Sequence, residues 1–291
     1  MALKAGLILE GGSNRGVFTS GVLDYFMEQN CYIPNVAGVS AGSCNLLGYV
    51  SQQQGRTKRC MIDFLRAGQY AGVRYIVKQK SIFDMDLIFD IFPNAVIPFD
   101  YKTYFQSRQK SWLVTTNCQT GKAEYLDERA DKKRLMSICR ASCSIPIVSP
   151  TVEVDGIPML DGGMADSIPL RFMVKQGCNR NVLILTRQKG YRKSPSRRNN
   201  RVSTFLYGRK YPNLVRTIKR RYLMYNRTME LIERLEEEGK IFVIRPQVPV
   251  ISSMEHDPEI LQKFYDHGYS YAAELYPAMM EFLKGCEIYD G

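Results

Sequence analysis

Two short units near the N-terminus constrain the fold more than anything else in the chain. "KAGLILE" (residues 4–10) is a compact apolar run that stops at a glycine pair, and it reads as a buried strand. After "GGSNRG" (11–16), the residues Val17, Phe18, Gly21, Val22, Tyr25 and Phe26 recur at helical spacing through residue 29. The pattern then repeats, with "IPNVAGVS" (33–40) strand-like and "AGSCNLLGYVSQQQG" helix-like. Strand, helix, strand, helix within the first 55 residues argues for parallel strands in a sheet covered by helices.

The rest of the chain continues in kind. "SWLVTTN" (111–117) is β-rich, and "CQTGKAEYL" reads as a turn with a returning strand. "TVEVDGIPMLDGG" (151–163) alternates, turns at Asp155-Gly156 and ends on a second glycine pair. "NVLILT" (181–186) and "KIFVIRP" (240–246) are further strands. Residues 56–110 read as mostly helical and loop-like, rich in aromatics such as Tyr70, Tyr75, Phe83, Phe89 and Phe92. From Asp257 on, Ile260, Leu261, Phe264, Ala272, Leu275 and Met279 trace one face of a long helix. Because a strand returns after a basic stretch, residues 188–239 are expected to be a mainly helical insertion in one domain spanning 1–291, with a closing strand and helix over 240–285. A separate C-terminal domain is the competing reading.

Charge is the informative part of the composition. The net charge is +11, yet between Ser167 and Met229 there are 17 Lys and Arg and no acid, while the remainder holds 23 basic against 29 acidic residues. Such asymmetry suggests a face that meets an anionic surface. "RQKGYRKSPSRRNNR" (187–201), with Arg187, Lys189, Arg192, Lys193, Arg197 and Arg198, reads as an exposed, mobile loop. Membrane phospholipid is the partner it suggests; a merely solvated loop explains the same charge, and nucleic acid ranks below both. No apolar run approaches the roughly 18–20 residues of a membrane span. The N-terminal apolar stretch is too short for a secretion signal, so a cytoplasmic protein, peripheral at the inner face of the membrane, is expected. The eight cysteines form no CxxC pair, and Cys139 and Cys143, four apart, have no histidine nearby to complete a zinc site. Reduced thiols filling the interior, Cys44 included, are expected, with no metal and no cofactor.

Three segments could carry chemistry. "GVSAG" (38–42) is a Gly-x-Ser-x-Gly between a strand and a helix, the setting of a nucleophile elbow that exposes a serine beside a helix N-terminus. An ordinary βα turn fits the same pattern. A serine nucleophile needs a base, most often histidine. The chain has only two, His256 and His267. Ser40, Asp161 and His256 run in the chain order of an α/β-hydrolase triad, but "MEHDPE" reads as a polar loop and His267 falls mid-helix. "GGSNRG" points backbone amides at negative charge. It is neither GxGxxG nor a P-loop, and an oxyanion hole beside a serine elbow suits it better than a phosphate cradle. Arg15 adds positive charge there or pairs at the helix start. In "LDGGMADSIP" (160–169), Asp161 is a carboxylate base or simply a turn residue.

Taken together, the Gly-rich loop with its arginine, the Gly-x-Ser-x-Gly some 25 residues on, and the later Asp-Gly-Gly resemble the patatin-like phospholipases. "RASCSIPIVSP" (140–150) also resembles that family, and the match covers roughly residues 5–187. Beyond it, the basic segment and terminal helix resemble a bacterial subgroup more loosely. The resemblance implies a three-layer α/β fold, with a mostly parallel central sheet and helices on both faces. It implies hydrolysis of lipid carboxylic esters, phospholipids or lysophospholipids, through an acyl-enzyme and a Ser–Asp dyad without histidine. Ser40 would be the nucleophile and Asp161 the base. The amides of Gly11, Gly12 and Ser13 would form the oxyanion hole, supported by Arg15, Gly16, Gly38, Gly42, Gly162 and Gly163. Two departures bear on the loop's shape: Ser13 stands where the family usually has a third glycine, and Glu10 where it often has aspartate. A catalytically silent acyl-binding protein and a nucleotide-binding α/β protein stay open as alternatives.

Overall fold

The apolar runs assemble into one eight-stranded sheet in the computed structural model of the chain, which describes residues 3–63 and 85–290. Tyr70, Tyr75 and Phe83 lie outside the described residues. The strands are β1 (Ala5–Leu9), β2 (Asn35–Val39), β3 (Lys110–Asn117), β4 (Ala123–Leu126), β5 (Val152–Val154), β6 (Ile157–Asp161), β7 (Arg180–Ile184) and β8 (Ile241–Ile244). Their order is β5-β6-β3-β2-β1-β7-β8, with β4 also paired to β3. From β3 through β8 neighbours run parallel, whereas β4 and β6 run antiparallel to β3, and β5 to β6.

The principal helices are α1 (Gly16–Glu28), α2 (Ala41–Val50), α3 (Tyr101–Gln106), α4 (Lys132–Cys143), α5 (Leu170–Lys175), α6 (Arg197–Tyr207), α7 (Pro212–Glu237) and α8 (Pro258–Phe282). Side chains of Asp131, Ser196 and Asp257 accept first-turn amides of α4, α6 and α8, which starts those helices locally. Successive strand residues point to opposite faces and so feed two cores. Leu7, Leu9, Val36, Val182 and Ile184 pack on one face with α1, α2, α4 and α8. Ile8, Ala37, Leu183 and Ile241 pack on the other with α5 and α7. The expected arrangement of helices on both faces of a largely parallel sheet is therefore present.

One feature of the topology brings the ends of two strands together. β2 pairs with Lys110–Val114 of β3, and β6 pairs with Thr115–Asn117 of the same strand. β4 covers Leu113–Thr116 and overlaps both, so it takes the opposite edge. A strand has only two edges, so β2 and β6 lie end to end along one edge of β3. The C-terminal end of β2 and that of β6 therefore meet head-on.

The basic segment is a loop over 187–196, as expected, and becomes helical from Arg197. The loop is tied to α7. Arg192 pairs with Glu233 at 2.6 Å, and the Lys193 amide donates to Asn226 Oδ1 at 2.8 Å. Tyr191, Arg192 and Lys193 are partly buried, while Lys189, Arg197 and Arg198 stay exposed. Among the described residues no helix is long and apolar enough to cross a membrane.

Candidate active site

Ser40 stands in the turn from β2 into α2 with φ 56° and ψ −124°. A non-glycine residue in this region costs roughly 1–3 kcal/mol, so the surroundings must hold it there. Gly11 helps by closeness: a Cβ on it would lie 2.9 Å from Ser40 Cβ and 2.8 Å from the Val39 carbonyl. A Cβ on Gly42 would collide with the Leu9 carbonyl, so the first turn of α2 can lie directly on β1. Gly38 is the penultimate residue of β2, and Gly16 opens α1.

Asp161 closes β6 and is buried, 3% exposed. Its Oδ1 accepts the Gly163 amide at 2.7 Å, the bond that starts the turn through Gly162 and Gly163. Burial raises its carboxyl pKa above the ordinary 3.8; the neighbouring Ser40 hydroxyl, Arg221, the Gly163 amide and Lys193 oppose the rise. The Gly163 carbonyl accepts Arg221 Nε at 2.6 Å.

The seam between β2 and β6 is closed by the C-terminal end of α4. Ser142 Oγ donates to the Val114 carbonyl at 2.6 Å and accepts the Ser40 amide at 3.0 Å. The Asp161 amide donates to the Ser144 carbonyl at 2.8 Å, and Thr116 Oγ1 donates to the Asp161 carbonyl at 2.8 Å. Through Ser142 and Ser144, "RASCSIP" thus positions both strand ends, a role that depends on contacts distant in sequence.

In the loop between β1 and α1, Ser13 adopts φ 50°. The position does ask for left-handed backbone, and serine meets it without glycine's freedom. Glu10 is buried; its carboxylate accepts the Thr186 amide at 2.7 Å and the Tyr225 hydroxyl at 2.9 Å, linking the loop to the segment that follows β7 and to α7. The longer glutamate side chain suits that reach. Arg15 is brought down to about 10 by burial and then by Arg187.

The histidines stand apart. His256 is exposed, and His267 Nε2 accepts the Gln247 amide at 3.1 Å while its ring stacks on Tyr271. Neither lines a cavity beside Ser40.

Two cavities meet at Ser13, Ser40 and Ile145. One is apolar, walled by Leu47, Met61, Phe89, Phe92 and Met136. The other is polar and cationic, holding Gly11, Gly12, Arg15, Asp161, Lys193 and Arg221. In the apolar wall Cys44 Sγ lies 3.8 Å from Cys139 Sγ and 3.6 Å from Cys143 Sγ. The isolated Cys139–Cys143 spacing therefore has a third thiol, which arrives from α2 and is invisible in local sequence. These three sulfurs are the one group of metal-capable side chains among the described residues.

Residues 7–174 match the family model described as Patatin-like phospholipase, and residues 211–284 match one described as Domain of unknown function (DUF6363). The chain belongs to the patatin-like phospholipase family. It is 26% identical over 254 residues to the uncharacterized protein YjjU of Escherichia coli K12, covering 86% of this chain and 70% of that protein. It is 27% identical over 176 residues to the lysophospholipase NTE1 of Candida glabrata, covering 60% of this chain but only 10% of that much longer protein. The crystal structure of VipD from Legionella pneumophila aligns with a TM-score of 0.49 at 12% identity, covering 96% of this chain and 67% of that one.

Proposed function

We propose that this chain is a serine acyl hydrolase of lipid carboxylic esters, phospholipids or lysophospholipids, working through a Ser40–Asp161 dyad. The observation that carries the reading is the head-on meeting of β2 and β6 on β3, which brings the elbow serine and a buried carboxylate together. In this reading Ser40 Oγ attacks the ester carbonyl carbon and its proton passes to Asp161. The tetrahedral intermediate collapses, the C–O bond to the alcohol breaks, and Asp161 protonates the leaving oxygen. Water then attacks the acyl-enzyme, giving its proton to Asp161; the fatty acid leaves and Ser40 recovers the proton.

Asp161's raised pKa supports the role of base, since an ordinary carboxylate is a feeble acceptor for an alcohol proton. The amides of Gly11, Gly12 and Ser13 are the proposed oxyanion donors. No acceptor among the described residues is hydrogen-bonded to the Gly11 or Gly12 amide. Losing one such donor typically lowers kcat ~10²–10³-fold. The apolar cavity is suited to the acyl chain.

Peripheral contact with an anionic membrane surface belongs to the same reading. On α6, exposed Phe205 and Leu206 follow exposed Arg197, Arg198 and Arg201, a combination of basic and apolar side chains that favours an interfacial helix. Liposome sedimentation that ignores both anionic lipid content and salt would rule this contact out.

The decisive experiment is hydrolysis of short-chain p-nitrophenyl esters by the parent, Ser40→Ala, Asp161→Asn and the double variant His256→Ala/His267→Ala. Activity lost in the first two variants and kept in the third is expected. Loss with the histidines while the fold persists would replace the dyad by a triad. An inactive parent that also resists a fluorophosphonate would favour a silent acyl-binding protein.

A further inference from the structure

We infer that the polar cavity beside Ser40 is a headgroup site for a glycerolipid ending in a phosphate monoester, bound through convergent cations of the β1–α1 loop, the 187–196 loop and α7. This rests on the acyl hydrolase reading and names the substrate class it serves.

The charges do not balance without a ligand. Arg15, Arg187, Lys193, Lys219 and Arg221 line the cavity, and Glu10 and Asp161 are its only carboxylates among the described residues. Glu10 already accepts from Thr186 and Tyr225, and Asp161 from Gly163. Two acids of α7 near the segment are committed elsewhere, Glu233 to Arg192 and Glu236 to Arg245. Among the described residues none of the five cations forms an ion pair. Arg15 and Lys193 are both driven toward neutrality, first by burial and then by a neighbouring arginine. Like charges gathered away from water are unfavourable until a counter-charge arrives, and a dianion supplies it.

Unused donors point the same way. Arg15 Nε and the Ser203 hydroxyl are buried without a partner among the described residues, and both residues line this cavity. A buried donor left unpaired costs about 1–3 kcal/mol, which phosphate oxygens would offset. Position matters equally: the cavity shares Ser40 with the apolar one, and in a glycerophospholipid the phosphate lies only a few bonds from the ester carbonyl. With that carbonyl at Ser40, chain and phosphate enter opposite cavities.

A choline headgroup fits poorly. Of the two tyrosines that line the cavity, Tyr191 already carries Arg187 over its ring at 4.2 Å, and a quaternary ammonium reaching Tyr222 would enter among Arg15, Arg187, Lys193, Lys219 and Arg221, which repel it.

The test is fatty-acid release from mixed micelles of phosphatidate, phosphatidylcholine and diacylglycerol with identical chains, by the parent and by Arg187→Met/Lys193→Met. The parent should hydrolyse phosphatidate with kcat/KM at least ~10-fold above phosphatidylcholine, a gap that two or three desolvated charge contacts readily supply. In the double variant the phosphatidate-to-diacylglycerol ratio should fall by a similar factor. Equal use of the three lipids by an active parent overturns the inference, as does a ratio the variant leaves unchanged. Melting with inorganic phosphate separates the sources: stabilisation without any lipid preference would make this a free-phosphate site and refute the headgroup reading. An enzyme inactive on all esters, p-nitrophenyl esters included, would instead sink the hydrolase reading itself.

Discussion

The Ser142 hydroxyl spans the break between two strands, donating to the Val114 carbonyl of β3 at 2.6 Å and accepting the Ser40 amide at 3.0 Å. A side chain from α4 thus does at the seam what a continuous strand would do with its backbone. Ser142→Ala leaves both groups buried and unpaired, so it should lower stability by about 1–3 kcal/mol per orphaned group. It should also lower kcat on p-nitrophenyl esters up to ~10²-fold by loosening the elbow, more than it raises KM. Urea melts and steady-state kinetics of the one variant read both effects.

Asp161 should trade stability for activity. Burial raises its folded-state pKa above 3.8, so its contribution to stability is fully present below the unfolded pKa and is lost as pH rises through the folded one. At neutral pH the buried carboxylate is therefore a destabilising group. Asp161→Asn, expected to be inactive as an esterase on the proposed dyad, should melt higher than the parent at pH 7, with the difference shrinking as pH falls toward 4. The parent's kcat/KM should likewise decline on the acid side with an apparent pKa above 3.8. A variant that melts lower at pH 7 would contradict this.

The two strand–glycine–helix units, and hence the parallel sheet, were legible because a period and a turn residue are local properties. Asp161 was legible only through the family resemblance, since "LDGG" is also a plain turn. What stayed hidden was long-range. Cys44 and Cys143 are 99 positions apart and meet only because α2 and α4 pack together. The anchoring of the 187–196 loop was hidden for the same reason: its composition describes solvation, whereas its ties run to Glu233 and Asn226 of the distant α7.

Glu10 and Tyr225, 215 positions apart, should prove energetically coupled. Glu10→Asp withdraws the carboxylate from the Tyr225 hydroxyl, and Tyr225→Phe removes the hydroxyl itself. Each should destabilise, and the double variant should fall short of the sum by about 0.5–3 kcal/mol. Full additivity in a denaturant-based cycle would show the bond to be idle.

The three thiols in the apolar wall offer a handle on chain length. Methylthiolation with methyl methanethiosulfonate adds bulk where Cys44, Cys139 and Cys143 converge. Turnover of long-chain p-nitrophenyl esters should drop at least ~10-fold while that of the acetate drops much less, and Cys44→Ala should blunt the effect. Equal loss at both lengths would argue against the cavity as the acyl site.

Because β2 and β6 share an edge of β3, the proposed Ser40–Asp161 pair assembles only when both strands are in register there, and a slip of one residue turns Asp161 to the other face. The pairing partners are drawn from residues 35 to 161, and contacts so distant in sequence form slowly. The lone tryptophan, Trp112, sits on β3 opposite Ala37 and so reports the first of these pairings but not the second. On refolding, Trp112 emission should recover before fluorophosphonate reactivity, and the lag between them would time the arrival of β6.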